Sequence, residues 1–113
     1  MDRVEEYRNT IERILEAHHR IPYGHGELES KLIIDPERNN FVLMVVGWDG
    51  KRRVHGCVVH VEIIKDEIWI HRDGIEQGIT DELVASGVPK NKIVLAFHPP
   101  NVRQYTGYGI GGS

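Results

Sequence analysis

Residues 40–72 read NFVLMVVGWDGKRRVHGCVVHVEIIKDEIWIHR, and this stretch decides the architecture. It reads as strand, turn, strand, turn and strand, with Trp48-Asp49-Gly50-Lys51-Arg52-Arg53 at the first turn and Lys65-Asp66 at the second. Asp-Gly between two runs of β-branched and aromatic residues is a strong hairpin signal, because Gly takes positive φ without steric cost. An antiparallel sheet at the centre of the molecule follows. The same strands carry no nucleophile–base pair, no spacing of metal ligands and no phosphate-binding loop.

Within the stretch, 41–48 is apolar at nearly every position, which predicts a strand covered on both faces. The next strand, 53–64, alternates differently. One side holds Arg53, His55, Cys57, Val59, Val61 and Ile63; the other holds Val54, Gly56, Val58, His60, Glu62 and Ile64. Polarity reverses midway on both sides. A twisted strand whose buried side changes produces this, and so does a bulge near Gly56. A strand over 67–72 follows, closed by Asp73-Gly74.

Working outward, Val4, Tyr7, Ile11, Ile14, Leu15 and His18 fall on one face at helical spacing, which predicts a helix over 2–20. Acids at its start and His18, His19 and Arg20 at its end match the helix dipole, and Pro22 stops it. Leu28, Ser30, Leu32 and Ile34 define one face of a first strand, 28–35. Downstream, Thr80 is expected to cap a short helix over 81–86, with Gly87 as its stop. Pro89 opens a helical turn at 90–92, and 93–97 reads as a short fifth strand or an extended edge. Pro99-Pro100 is expected to end regular structure, and the Gly-rich end, 107–113, to form a flexible tail of a single domain.

The fold class is therefore α+β: an antiparallel β-meander of four to five strands, with a long N-terminal helix and a short C-terminal helix on one face. Two helices cover one side of such a sheet. The other side needs a partner, and a second copy of the chain supplies one, so a homodimer is expected.

The totals bound the rest. A chain of 113 residues, 40% hydrophobic and 27% charged, is ordinary globular material. No apolar run reaches transmembrane length, and the charged N-terminus is unlike a signal peptide. A lone cysteine, Cys57, fits a reducing cytoplasm. A net charge of −3 argues against nonspecific DNA binding, which rests on phosphate neutralisation.

Candidate chemistry is sparse. His18 and His19 point different ways on a helix. His55 and Cys57 share a strand side that His71 approaches across the pairing, short of the three or four ligands zinc requires. His60 and Glu62 share the other side as an ion pair or an acid–base pair without a nucleophile. The loop Pro22-Tyr23-Gly24-His25-Gly26-Glu27 lacks a dinucleotide fingerprint and reads as a connector. Neither a metal nor a cofactor is expected. The candidate contact residues, for a protein partner or for DNA, are Trp48, Asp49, Lys51, Arg52 and Arg53 at the hairpin tip, with Arg103 after the double proline.

Several runs, taken together, resemble one family. They are Ile21-Pro22-Tyr23, Gly26-Glu27, Val46-Gly47-Trp48-Asp49-Gly50-Lys51-Arg52-Arg53-Val54, Gly56-Cys57, Ile68-Trp69-Ile70, Gly87-Val88-Pro89-Lys90 and Ile93-Val94-Leu95-Ala96-Phe97-His98. In this order, from about Val4 to Tyr108, they resemble XisI, the cyanobacterial fdxN-element excision controlling factor family. The resemblance implies an accessory role in programmed DNA rearrangement. Together with an XisH-like companion, the family is required for a site-specific recombinase to excise a chromosomal element during heterocyst differentiation. It transfers no catalytic residue, so the chain is expected not to be an enzyme and to reach the recombinase indirectly. Two alternatives stand beside this: a direct DNA-binding module using the basic tip, and a stabilising or inhibitory partner of an XisH-like, nuclease-related protein. A small enzyme using His60, Glu62 or His25 is a third.

Overall fold

The computed structural model describes residues 3–24 and 27–111. His25 and Gly26, in the loop read as a connector, lie outside the described residues. The first helix, α1 (Arg3–His19), buries Tyr7, Ile11, Ile14 and Leu15, residues its spacing selected. Four strands follow: β1 (Glu27–Ile34), β2 (Asn40–Asp49), β3 (Arg52–Ile64) and β4 (Glu67–Asp73). Helix α2 (Ile79–Ala85), a 3-10 turn (Lys90–Lys92), β5 (Ile93–Leu95) and a short helix α3 (Pro100–Arg103) complete the order.

The sheet order is β1-β2-β3-β4-β5. The first three pairings are antiparallel, as the hairpin signals require. The fifth strand departs from a pure meander. It runs parallel to β4, with Ile68 beside Ile93 and Ile70 beside Leu95. Parallel neighbours need a crossover rather than a tight turn, and the segment containing α2 supplies it. The fold is thus α+β with a mixed sheet.

Both larger helices pack on one side. Ile11, Leu15, Ile79 and Leu83 join Phe41, Val59, Val61, Ile68, Ile70 and Ile93 in one core, each essentially buried. Burying a side chain of this size stabilises by about 1.5–3 kcal/mol. The alternation of β1 follows: Leu28, Ser30, Leu32 and Ile34 are half-buried, and the residues between them are exposed.

A polar network fastens α1 to the β1–β2 turn. Arg38, at φ 57, reaches Glu5 at 2.6 Å, Glu12 at 2.9 Å and Asn9 at 3.0 Å. Arg8 donates to the Arg38 carbonyl and to Asn39 Oδ1. Hydrogen bonding to the Glu12 carboxylate, then to Glu5, holds the Arg38 guanidinium above its ordinary pKa. In the turn, Asp35 accepts the backbone N–H groups of Asn39 and Asn40, and the bond from Asn40 is the leading cause of its lowered pKa.

Two local expectations are corrected. Helix α2 is capped from a distance. Gly78 stands at its N-cap, while the Asp73 carboxylate accepts the Ile79 N–H at 3.1 Å and the Thr80 hydroxyl at 3.2 Å. Pro99-Pro100 does not end regular structure, because Pro100 opens α3, where a missing N–H costs nothing. The segment read as a flexible tail makes defined contacts as far as it is described. Gly109 bridges to Val94 and donates its N–H to the Ile93 carbonyl at 2.8 Å. A Cβ on Gly111 would come within 2.7 Å of the Trp69 ring.

Candidate functional site

The side of the sheet away from α1 and α2 carries the chemistry left outside the core, and a bulge sets its composition. Leu43 pairs with Val59, but the next residue, Met44, pairs with Cys57, so Val58 has no partner. Register partners share a face. Val59, Val61 and Ile63 therefore join Leu43 and Phe41 in the core. Arg53, His55 and Cys57 join Trp48, Val46 and Met44 on the outer face. This is the reversal visible in the sequence of β3, with the bulge just beyond Gly56.

The bulge also corrects a grouping. His60 and Glu62 were placed opposite His55 and Cys57. They pair with Val42 and Asn40 and so lie on the same outer face. A second irregularity, in β4, leaves His71 unmatched between Ile70 and Arg72. His71 binds Glu62 at 2.9 Å and lies 4.7 Å from the His60 ring, while His60 bonds Asn40 Oδ1 at 3.1 Å. The expected His60–Glu62 pair is thus a His71–Glu62 pair with His60 alongside. Burial first, then the neighbouring His71, lowers the His60 pKa, with Glu62 opposing. Burial raises the Cys57 thiol, partly offset by Arg72. Among the described residues, no cluster of three or more His, Cys, Asp or Glu is arranged to hold a metal ion.

One end of this face is covered. The C-terminal segment crosses Trp69, and the Arg103 guanidinium lies 5.2 Å from a Trp69 ring centre. Arg103 also donates to the carbonyls of His98 and Ala96. It is pinned to its own chain and does not join the hairpin tip.

At that tip, Gly50 (φ 64) and Lys51 form the turn between Asp49 and Arg52, with Gly at the first central position as in type II′. Arg53 lies 5.5 Å over the Trp48 ring and donates to the Gly47 carbonyl, and Arg52 sits 3.7 Å from Asp49. Trp48, Asp49, Arg52 and Arg53 are thus gathered, and Lys51 extends from the turn. Trp48 is 46% exposed, so it is a surface group and not a core anchor.

Between the tip and the histidines runs an apolar strip. Val42, Met44 and Val46 are half-buried among their strand neighbours. Ile33 on β1, 52% exposed, extends the strip, because it pairs with Val42. Sequence reasoning missed Ile33. Its signal was the break in an otherwise charged outer series, Glu27, Glu29 and Lys31. An open depression of about 620 Å³ at the tip end is lined by Glu27, Glu29, Lys31, Val46, Arg53 and His55. Glu27 and Glu29 on β1 thus face Arg53 on β3 across Val46.

No curated protein matches this chain. Solved structures do, two of them as follows. A XisI-like protein from Anabaena variabilis ATCC 29413 is 34% identical, with a TM-score of 0.88 over 96% of this chain and 99% of that one. The fdxN element excision controlling factor XisI from the same organism is 32% identical, with a TM-score of 0.83 over 97% of this chain and 100% of that one. The family model described as XisI protein matches residues 1–110. With that match spanning nearly the whole sequence, and with the mixed sheet and helices in the same arrangement as these relatives, the chain belongs to the XisI family.

Proposed function

We propose that this protein is an accessory controlling factor in the excision of a chromosomal DNA element of the fdxN type. It acts through protein contacts and performs no catalysis of its own. Family membership and the relative named as an excision controlling factor support the role. The observation that carries the mode of action is the outer sheet face, where Ile33, Val42, Met44, Val46 and Trp48 form an apolar strip flanked by charge. Apolar strips with polar rims mark protein contacts. The partner on this face is an XisH-like companion, through which the recombinase is reached in the cytoplasm. The protein itself is a homodimer.

Direct DNA binding has less support. Arg103 is held by its own chain, Arg53 is stacked on Trp48 and Arg52 lies beside Asp49. Lys51 remains, on a chain of net charge −3. Phosphate recognition needs a larger basic footprint.

The test is co-purification with the XisH-like companion. Met44→Asp and Trp48→Ala abolish capture while the melting temperature stays near that of the parent. Lys51→Ala with Arg52→Ala leaves capture intact. Full capture by Met44→Asp removes the face from the reading. A steep salt dependence of binding to DNA alone replaces the reading with the DNA-contact one.

A further inference from the structure

The sheet has two edges, and among the described residues one of them is closed. At β5 the C-terminal segment pairs alongside, with Gly109 bridging to Val94. Among the described residues, no element pairs outside β1. The Asp35 N–H donates to the Asn40 carbonyl, which fixes the alternation of the β1–β2 ladder. Odd residues of β1 bond to β2, so the backbone groups of Leu28, Ser30, Leu32 and Ile34 point out of the sheet. Among the described residues, no backbone hydrogen bond outside the ladder reaches these groups. A long open edge is a template for another strand.

We infer that this edge is the self-association surface: β1 pairs antiparallel with β1 of a second copy, about a two-fold axis at Ser30, so that the two sheets become one. This deepens the homodimer proposed above and assigns it to the edge, which leaves the outer face free for the companion.

The register is specified by charge. With Ser30 opposite Ser30 of the second copy, Glu29 lies opposite Lys31 and Lys31 opposite Glu29, both on the outer face. These are the non-hydrogen-bonded positions, where cross-strand side chains come closest. A slip of two residues sets Lys31 against Lys31 or Glu29 against Glu29, which is unfavourable. Leu28 meets Leu32 on the helix side. Glu29 and Lys31 are both well exposed and already lie 3.5 Å apart within one chain, so both are placed to exchange partners. The surroundings also suit a partner. Ile21, 62% exposed, and Tyr23, 41% exposed, border an open groove of about 340 Å³ beside Leu28, Glu29 and Ser30. A second copy brings its own Ile21 and Tyr23 to the same seam.

The experiment is sedimentation equilibrium on the full chain across a dilution series, with amide hydrogen exchange on the same samples. The parent is a dimer, and the amides of Leu28, Ser30 and Leu32 are protected in it and exchange on dilution. Glu29→Lys alone and Lys31→Glu alone each weaken dimerisation by at least about tenfold, since both symmetry-related pairs become repulsive. The double variant Glu29→Lys with Lys31→Glu restores it. A monomeric parent overturns both this assignment and the homodimer, while the excision role is tested separately by co-purification. A dimeric parent whose β1 amides exchange freely overturns the edge and leaves the homodimer standing. Single variants that dimerise like the parent, or a double variant that stays monomeric while folded, overturn the register.

Discussion

Gly47→Ala is the substitution whose cost can be worked most directly from geometry. Gly47 stands in β2 opposite Leu28, at φ 141, a conformation L side chains rarely adopt. A Cβ built there lies 1.9 Å from the Glu27 carbonyl oxygen, which is backbone and has no rotamer to change. Two costs add. Holding a non-glycine residue in sparsely populated backbone space costs about 1–3 kcal/mol. Relieving the overlap by moving the start of β1 away from β2 costs a further ~1–3 kcal/mol, the usual penalty for overpacking. A loss of roughly 2–6 kcal/mol lowers Tm by on the order of 10–30 °C in a domain of about 100 residues. Gly56→Ala is the control. Gly56 has no positive φ, and nothing lies within 4 Å of a Cβ there. Denaturant melts of both variants by circular dichroism make the comparison. Should Gly47→Ala stay within 1 kcal/mol of the parent, a threshold set by the lower bound of those costs, the close approach of β1 to Gly47 is wrong. A Gly56→Ala variant as unstable as Gly47→Ala refutes the contrast.

Two further outcomes follow from local chemistry. The folded-state pKa of His60 lies below its unfolded value, so the folded chain takes up a proton there less readily. Stability is therefore full above the unfolded His pKa of about 6.5 and is lost as pH falls through the lower folded value. His60→Gln flattens that acid slope in urea melts, and an unchanged slope removes the assignment. Asp73→Ala withdraws the cap from the start of α2 and costs about 0.5–2 kcal/mol, read as a lower urea midpoint at unchanged m-value. A midpoint equal to that of the parent shows that Asp73 does not cap the helix.

Much of this molecule is legible in the chain. The α1 core face and the β2–β3 hairpin follow from periodicity and one Asp-Gly pair, because both are local. The polarity reversal in β3 announced its bulge. It could not say which residue was extra, since that depends on pairing with β2. The parallel β5 was hidden for a related reason: three apolar residues carry no direction, and the crossover is a tertiary choice. Site residues fared unevenly. Trp48 and Arg53 stack because they are cross-strand partners on either side of a turn the sequence specifies. Arg103 reads in the sequence as a contact residue for a partner or for DNA, and it is bound within its own chain because Trp69, remote in sequence, and the carbonyls of Ala96 and His98 converge on it. The capping role of Asp73 was invisible, since it reaches across the β4–α2 loop. Thr80, the better local signal, donates to that same carboxylate.

The unmatched Val58 acts on β3 as an inserted base acts on a message. Every residue before it is read in one phase and every residue after it in the other. A ladder that paired straight through Val58 would send Arg53, His55 and Cys57 toward the helices or, held at that end, turn Val59, Val61 and Ile63 into water. One extra residue therefore sets inside against outside for half the strand, whereas substitutions there alter one contact at a time.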